Sequence, residues 1–470
     1  MMKNIIFLLL FPAVLNAQNI TSIYDAYLQA QTDLYHFNGN VLIAKNGNII
    51  YKKSFGYADY NTKQKLDSAD IFDIGSIAKE FTAVGILLLK DKGKISYADT
   101  LGKFFPELPY SNITVQQLLT HTSGMPDGFG LIEKFFDHNK IAQNSDLIQL
   151  LAKEKPPLLF KPGTDMMYSG TAFNVLASII EKISGQSYNA YMNEKVFKPL
   201  GMKYTEVANY LRSANKNPRL ANGFVYSDSV KKYIPAESLH TGWTTYFSGI
   251  TGEGMIITTT GDLLKWDRAL KNNTLLTKTT QQQMVLLQAN KKTFPMISFG
   301  YGIRVGKNDI GNYVFHNGYF PGYKSMHLRY TDNDVTAIVL SNNESQSEFI
   351  ADALVAIALK KNIVMPYHHK EGPVNTALND YAGSYLMPLT RPPYMANFPV
   401  EIVVKNDKLY VKASGKEIEL KPETTTKFFF ADGTDQQIEF EKDSTGNATK
   451  VWHIAWGIKK EIKKIDLISK

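Results

Sequence analysis

The chain has 470 residues, 44% hydrophobic and 20% charged, proportions that suit a globular protein with a large core and two or three domains. A formal net charge of +8 is modest for this length and the lysines are scattered, so nothing in the composition points to a nucleic-acid partner. Cysteine is absent, which excludes disulfides, thiol catalysis, cysteine metal sites and lipid attachment at a cysteine.

The first residues, MMKNIIFLLLFPAVLNAQ, combine Lys3, an apolar run from Ile5 to Leu15, and Ala17 before Gln18. This layout predicts a secretory signal peptide over residues 1–17, cut after Ala17, although Leu15 is larger than the usual residue three places before a cut. The apolar run is shorter than the ~20 residues a spanning helix needs. The expectation is therefore an exported chain, periplasmic or secreted, with no integral membrane segment once the leader is removed.

Next, NGNVLIAKNGNIIYKKSFGYAD reads as two strands around Asn46-Gly47, a pair that tolerates the positive φ of a two-residue hairpin. From Ile77 to Leu89 the pattern is apolar on nearly all sides and Gly93 supplies a stop, which predicts a buried helix. Residues 95–300 alternate short amphipathic segments with Gly/Pro/Asn-rich loops, and Thr114-Val115-Gln116-Gln117 has the form of a capping box. Alternation returns in YVFHNGYFPGYKSMHLRYTDNDVTAIVLSNNE, with a turn at Asp332-Asn333-Asp334, and SEFIADALVAIALKKN has helical spacing. Strands at both ends of one unit with helices between them imply an α+β or α/β domain, residues 18–365, whose terminal segments share a sheet. Residues 366–376 read as a linker, and 377–470, made of short alternating strands and turns, as a small β domain of barrel or sandwich type.

The sequence FDIGSIAKEFTA places Ser76 three residues before Lys79 at the start of the buried helix. Spacing alone decides nothing, because the same S-x-x-K pattern recurs at Ser213–Lys216 and Ser229–Lys232. Those two lie in polar loops. On a helix, i and i+3 share a face, so Lys79 can reach the Ser76 hydroxyl while both are held rigidly, and the helix start favours negative charge developing on a bound carbonyl oxygen. Lysine is a poor base unless perturbed: freeing its amine at pH 7 costs about 4.6 kcal/mol from the ordinary pKa.

Two further stretches fit this chemistry. KPGTDMMYSGTAFNVLASIIEKISG sets Tyr168 in a turn before an apolar helix, and FHNGYFPG sets His316 on a strand. With Ser76-Ile77-Ala78-Lys79, ITVQQLLTHTSGMPD, Tyr168-Ser169-Gly170, PLGM and His316-Asn317-Gly318 in that order, the chain over about residues 30–362 resembles the serine β-lactamase and penicillin-binding-protein superfamily. The likeness is to its class C β-lactamase, D-alanyl-D-alanine carboxypeptidase and esterase branch. The C-terminal part, entered at LNDYAGSY, resembles the lipocalin-like β-barrel modules found behind such hydrolase domains.

The resemblance implies an α+β fold, with an antiparallel sheet flanked by helices, a helical subdomain and a small all-β barrel behind it. It also implies that Ser76 attacks an acyl carbonyl and forms an acyl-enzyme, with Lys79 and Tyr168 sharing general-base and general-acid work. His316 would orient substrate and hold Tyr168 in its reactive state. The backbone N–H groups of Ser76 and Tyr319 would form the oxyanion hole, and Gly170, Asn317 and Gly318 would line the substrate. The family's second motif is usually Tyr-x-Asn, and Gly170 stands at the asparagine position. A glycine cannot supply that polar contact, which favours ester or D-amino-acid peptide hydrolysis over efficient β-lactam hydrolysis. The substrate would be a small molecule or peptide, including one derived from peptidoglycan. Competing readings are a β-lactamase, a receptor that acylates once, and a pseudoenzyme that only holds ligand. Loops 125–165 and 205–250 would set specificity.

Other residues read as structural. His121, after an apolar helix, suits a hydrogen-bonding role. Adjacent His368 and His369 point apart and lack a carboxylate partner, so no metal is expected, and no cofactor is implied. Asp262 suits the first turn of a helix. No G-x-S-x-G elbow and no Gly-rich phosphate loop occur.

Overall fold

A computed structural model describes residues 11–208, 217–290, 298–373, 377–391, 394–413, 415–443 and 448–465. In chain order the main elements begin with helix α1 (Phe11–Tyr35), strands β1 (Gly39–Lys45), β2 (Asn48–Phe55) and β3 (Phe72–Asp73), and helices α2 (Ala78–Asp91) and α3 (Gly170–Ser184). Strands β4 (Glu206–Val207) and β5 (Ile256–Thr258) precede helix α4 (Thr260–Asn272). Then come β6 (Ala289–Asn290), β7 (Ser298–Phe299), β8 (Arg304–Lys307), β9 (Asn312–Phe320), β10 (Tyr323–Tyr330), β11 (Val335–Ser341) and helix α5 (Ser347–Ala358). Eight strands close the chain, from Gly383–Arg391 to Ile458–Ile465.

Two compact units result. One is Asn38–Ala351 with Arg391–Met395; the other joins the segment ending at Phe37 to Asp352–Thr390 and Ala396–Lys470. In the first, an eight-stranded sheet runs β6-β7-β8-β9-β10-β11-β1-β2. The expected joining of the unit's two ends is present: β1 pairs antiparallel with β11 from Gly39↔Ser341 to Lys45↔Val335. Asn46 (φ 53) and Gly47 (φ 81) both take left-handed backbone at the β1–β2 turn, as their types predict. In the second unit the last eight strands form a closed barrel, filled by Tyr381, Tyr385, Phe428, Ile438 and Phe440 among others. The helix α1 belongs to this unit and runs without a break across Ala17–Gln18, the expected cleavage point.

The helix α2 starts one residue later than its periodicity suggests and is buried from Ala78 to Leu89. Gly85 explains how closely it meets α3, since a Cβ there would lie 2.7 Å from Ile180 Cδ1. The Thr114–Gln117 capping box forms as expected: Thr114 Oγ1 accepts from Gln117 N–H (3.2 Å), and Gln117 Oε1 accepts from Thr114 N–H (2.9 Å). Asp262 sits in the first turn of α4, where it also accepts from Tyr204 N–H at 2.7 Å. A short sheet β3-β5-β4 matters most for function, because β3 leads directly into Ser76 and β5 begins three residues after Glu253.

Candidate active site

Ser76 occupies a single 3-10 turn, Gly75–Ile77, between β3 and α2. The turn is fixed from behind, where Ile74 N–H donates to Ile256 O (3.0 Å) and Gly75 N–H to Asp73 Oδ1 (2.8 Å). Its other side lies against β9, backbone to backbone. A Cβ at Gly75, where φ is +50°, would lie 2.6 Å from Tyr319 N, and one at Gly318 would lie 1.8 Å from Ile74 O. Only two glycines permit this approach, and it sets the Tyr319 backbone beside the Ser76 turn.

Lys79 is fully buried, and its Nζ donates to Ser76 Oγ (3.0 Å), to Glu253 O (2.7 Å) and to Glu253 Oε2 (2.8 Å). Burial alone would push its pKa down. The Glu253 carboxylate, with Tyr168 adding to it, outweighs that, and the net direction is up from the ordinary lysine value. The Tyr168 ring lies 4.9 Å from Lys79 Nζ, and its hydroxyl is buried with no hydrogen-bond partner.

His316 is buried on β9, 6.2 Å ring to ring from Tyr168. Its Nδ1 lies 2.7 Å from Asn317 O, which fixes the proton there and leaves Nε2 as an acceptor, again without a partner. Burial first, then the charges of Arg304 and Lys79, hold His316 well below the usual histidine value, so it is neutral. His121 accepts from Ser169 N–H (3.1 Å) and packs on Tyr168 (4.6 Å), so it hydrogen-bonds structurally, holding the turn that presents Tyr168. Ser169 caps α3 by accepting from Ala172 N–H (3.1 Å).

The arrangement is thus a serine hydroxyl bonded to a buried ammonium, with a tyrosine hydroxyl and a neutral imidazole held beside it. Against known proteins, residues 25–360 match the family model described as Beta-lactamase. The chain belongs to the β-lactamase family. It is 34% identical over 406 residues to Penicillin-binding protein 4* of Bacillus subtilis, covering 84% of this chain and 88% of that protein. The octameric penicillin-binding protein homologue from Pyrococcus abyssi matches with a TM-score of 0.66 and 25% identity, over 94% of this chain and 99% of that one. The D-amino acid amidase from Ochrobactrum anthropi shares the fold, at a TM-score of 0.58 and 22% identity over 73% of this chain and 98% of that one.

Within this β-lactamase-family serine hydrolase, the remaining predicted positions divide. Gly170 opens α3 and faces Glu253 and Phe129, whose side chains lie 3.4 and 3.2 Å from where its Cβ would be. Gly318 is at the Ser76 turn through its backbone. Asn317 is not there through its side chain: alternation along β9 turns it to the opposite face from His316, and its amide donates to Glu348 Oε1 (3.2 Å). Asn174 is committed to Thr251 O (2.9 Å) and does not stand in for the missing asparagine. The pair Ser229–Lys232 lies exposed in a surface hairpin turn, while Ser213–Lys216 falls outside the described residues. Against the expectation that His368 and His369 lack a carboxylate partner, the fold brings Glu423 to His369 (3.3 Å) from 54 positions away; among the described residues no group of three His, Cys, Asp or Glu is placed to hold a metal ion. Among the described residues no helix is long and apolar enough to cross a membrane.

Sequence reasoning missed Glu253. Its one local signal was a carboxylate between two glycines, TGEGM. An aromatic wall went unread as well: Phe129 meets Trp243 (4.4 Å) and Phe247 (5.0 Å), and Trp243 reaches Phe320 (6.4 Å) beside Tyr319.

Proposed function

We propose that the chain is an exported enzyme, released after Ala17, that cleaves amide or ester bonds through a Ser76 acyl-enzyme. D-Amino-acid peptides and esters are its substrate class. The observation that carries this reading is the 3.0 Å bond from buried Lys79 to Ser76 Oγ, made beside a Tyr168 hydroxyl that has no other partner. Ser76 Oγ bonds to the acyl carbon while its proton passes to the Tyr168 oxygen, and Tyr168 gives its own proton to the departing alcohol or amine. Water then attacks the acyl carbon, its proton returns by the same relay, and Ser76 regains its hydroxyl. The N–H groups of Ser76 and Tyr319 are assigned to the developing oxyanion. His316 Nε2 accepts from the Tyr168 hydroxyl or from substrate. The aromatic wall from Phe129 to Phe320 suits an apolar acyl group, and Gly170 withholds the polar contact that the resemblance would have placed there.

The names of the relatives support a second reading on the same residues, in which penicillin acylates Ser76 and stays. Mass spectrometry of the purified protein after incubation with a penicillin and with p-nitrophenyl acetate, beside Ser76→Ala, separates the two. Ser76-dependent product with steady turnover supports the hydrolase; a lasting adduct on Ser76 without turnover supports the receptor. Neither adduct nor product with either reagent overturns both.

A further inference from the structure

Glu253 belongs to none of the motifs that carry the family resemblance, yet its carboxylate bonds to Lys79 and borders the space at Gly170. A Cβ at 170 would lie 3.2 Å from Phe129 Cε2, 3.4 Å from Glu253 Oε2 and 3.5 Å from Glu253 Cγ, so the carboxylate is one of two groups bordering the space into which an asparagine there would extend. The loop that carries it is pinned residue by residue. Thr251 N–H donates to Asn144 Oδ1 (2.9 Å) and Thr251 O accepts from Asn174 Nδ2 (2.9 Å). Gly252 O accepts from Thr82 Oγ1 (2.5 Å), and Glu253 O accepts from Lys79. Gly252 itself, at φ +100° and with Phe173 O 2.5 Å from where a Cβ would be, is a place where only glycine fits. So many supports converging on one carboxylate make it a fixed part of the site.

An ammonium has three N–H donors, and Lys79 has three acceptors: Ser76 Oγ, Glu253 O and Glu253 Oε2. A lysine so placed gives a hydrogen bond to the nucleophile and has no lone pair with which to take its proton. We propose that Glu253 is a positioning residue that takes the place of the side chain absent at position 170, holds Lys79 as a charged donor to Ser76, and thereby leaves Tyr168 to accept the serine proton. This rests on the acyl-enzyme reading above. In that step Ser76 Oγ bonds to the acyl carbon as the bond to the leaving group breaks, the Ser76 proton passes to the Tyr168 oxygen and the Tyr168 proton to the leaving group; Lys79 keeps its three N–H bonds and Glu253 its charge.

The other groups facing Lys79 are Tyr168 and, at longer range, Arg304, His121 and His316, and burial keeps both histidines neutral. None of these replaces a carboxylate. Without Glu253, burial is opposed far less, and Lys79 gives up its proton at lower pH.

The test compares wild type, Glu253→Gln, Glu253→Ala, Gly170→Asn and the double variant Glu253→Ala/Gly170→Asn, with Ser76→Ala as blank. Hydrolysis of p-nitrophenyl acetate is followed from about pH 5 to about pH 10, and each melting temperature is measured. Glu253→Gln is expected to lower kcat about 10²-fold with little change in KM, and to move the alkaline limb of the profile to lower pH. Gly170→Asn is expected to be damaging alone and to recover at least about tenfold when Glu253 is truncated to make room. A Glu253→Gln profile that superimposes on wild type, or single effects that simply multiply, overturns the inference while leaving the hydrolase intact. Should wild type show no Ser76-dependent turnover, the functional reading falls, and the melting temperatures decide the inference: a double variant more stable than the singles predict upholds it, and strict additivity overturns it.

Discussion

Lys79 and Glu80 are neighbours on one turn of α2, both ionisable and both fully buried, yet their surroundings differ in kind. On the Glu80 side every carboxylate oxygen and both imidazole nitrogens have partners. Glu80 accepts from Trp266 Nε1 (2.7 Å) and meets His327 Nδ1 (3.2 Å); His327 Nε2 meets Asp267 (3.2 Å), which also holds Thr336 (2.8 Å) and Arg329 (3.3 Å). On the Lys79 side, the Tyr168 hydroxyl and His316 Nε2 are buried without partners. A buried polar atom left unmatched costs about 1–3 kcal/mol, and on this side two such atoms stand next to Lys79 and the Ser76 turn, open to a bound molecule. One helix thus carries, on adjacent residues, a carboxylate held in a charged network and an ammonium held beside the candidate nucleophile.

The comparison makes opposite demands of substitutions on the two sides. The largest effect is expected for Tyr168→Phe, which keeps the ring against His121 and removes only the unmatched hydroxyl. Ser76-dependent hydrolysis should fall about 10²–10⁴-fold. The melting temperature should stay level or rise, because a desolvated hydroxyl is gone. A variant that melts lower and hydrolyses normally would place Tyr168 among the structural residues and erase the contrast.

His327→Ala should do the reverse. It leaves the Glu80 and Asp267 carboxylates facing each other in the core without the cation between them, a loss of about 3–5 kcal/mol in stability. Urea unfolding would read this directly, and any folded fraction should still acylate at Ser76. A smaller effect of the same network is its pH dependence. Burial alone would push the His327 imidazolium down, but Glu80 and Asp267 override it and push the value up to about 9. Because this lies above the 6.5 of a free histidine, the contribution is fully present below about pH 6.5 and is lost as pH rises through about 9. Over that span wild type should lose about 3 kcal/mol relative to His327→Asn, whose stability should stay nearly flat. Parallel curves for the two proteins would mean that the imidazole is already neutral in the fold.

That Ser76, Lys79, Tyr168 and His316 come together was readable from the chain because their signals are local: Ser76 and Lys79 share a turn, and Tyr168 and His316 each sit at the edge of a recognisable element. The sheet and barrel were readable for the same reason, through alternation and turn residues such as Asn46-Gly47. What escaped is what depends on distant pairing. Glu253 meets Lys79 across 174 positions, and its clearest sign is an empty place at Gly170. The Glu80–His327–Asp267 network joins α2, β10 and α4, and periodicity reports only that such positions are inside, not what they meet there. Asn317 was misplaced because a motif read as a string ignores that strand neighbours face opposite ways.

The smallest expected effect tests how much of that legibility came from context. Ser229 and Lys232 have the same spacing as Ser76 and Lys79, but both are exposed, Ser229 in the turn between the hairpin strands Phe224–Ser227 and Lys232–Pro235 and Lys232 at the start of the second strand, and Ser229 Oγ meets Ser227 Oγ (2.9 Å). In water a lysine keeps its full charge and a serine hydroxyl its ordinary reactivity, so the pair has nothing to activate it. Ser229→Ala should shift stability by less than about 0.5 kcal/mol and leave hydrolysis and penicillin adducts unchanged. If adduct formation fell instead, spacing would carry the chemistry without burial, and the contrast between the two sides of α2 would lose its physical basis.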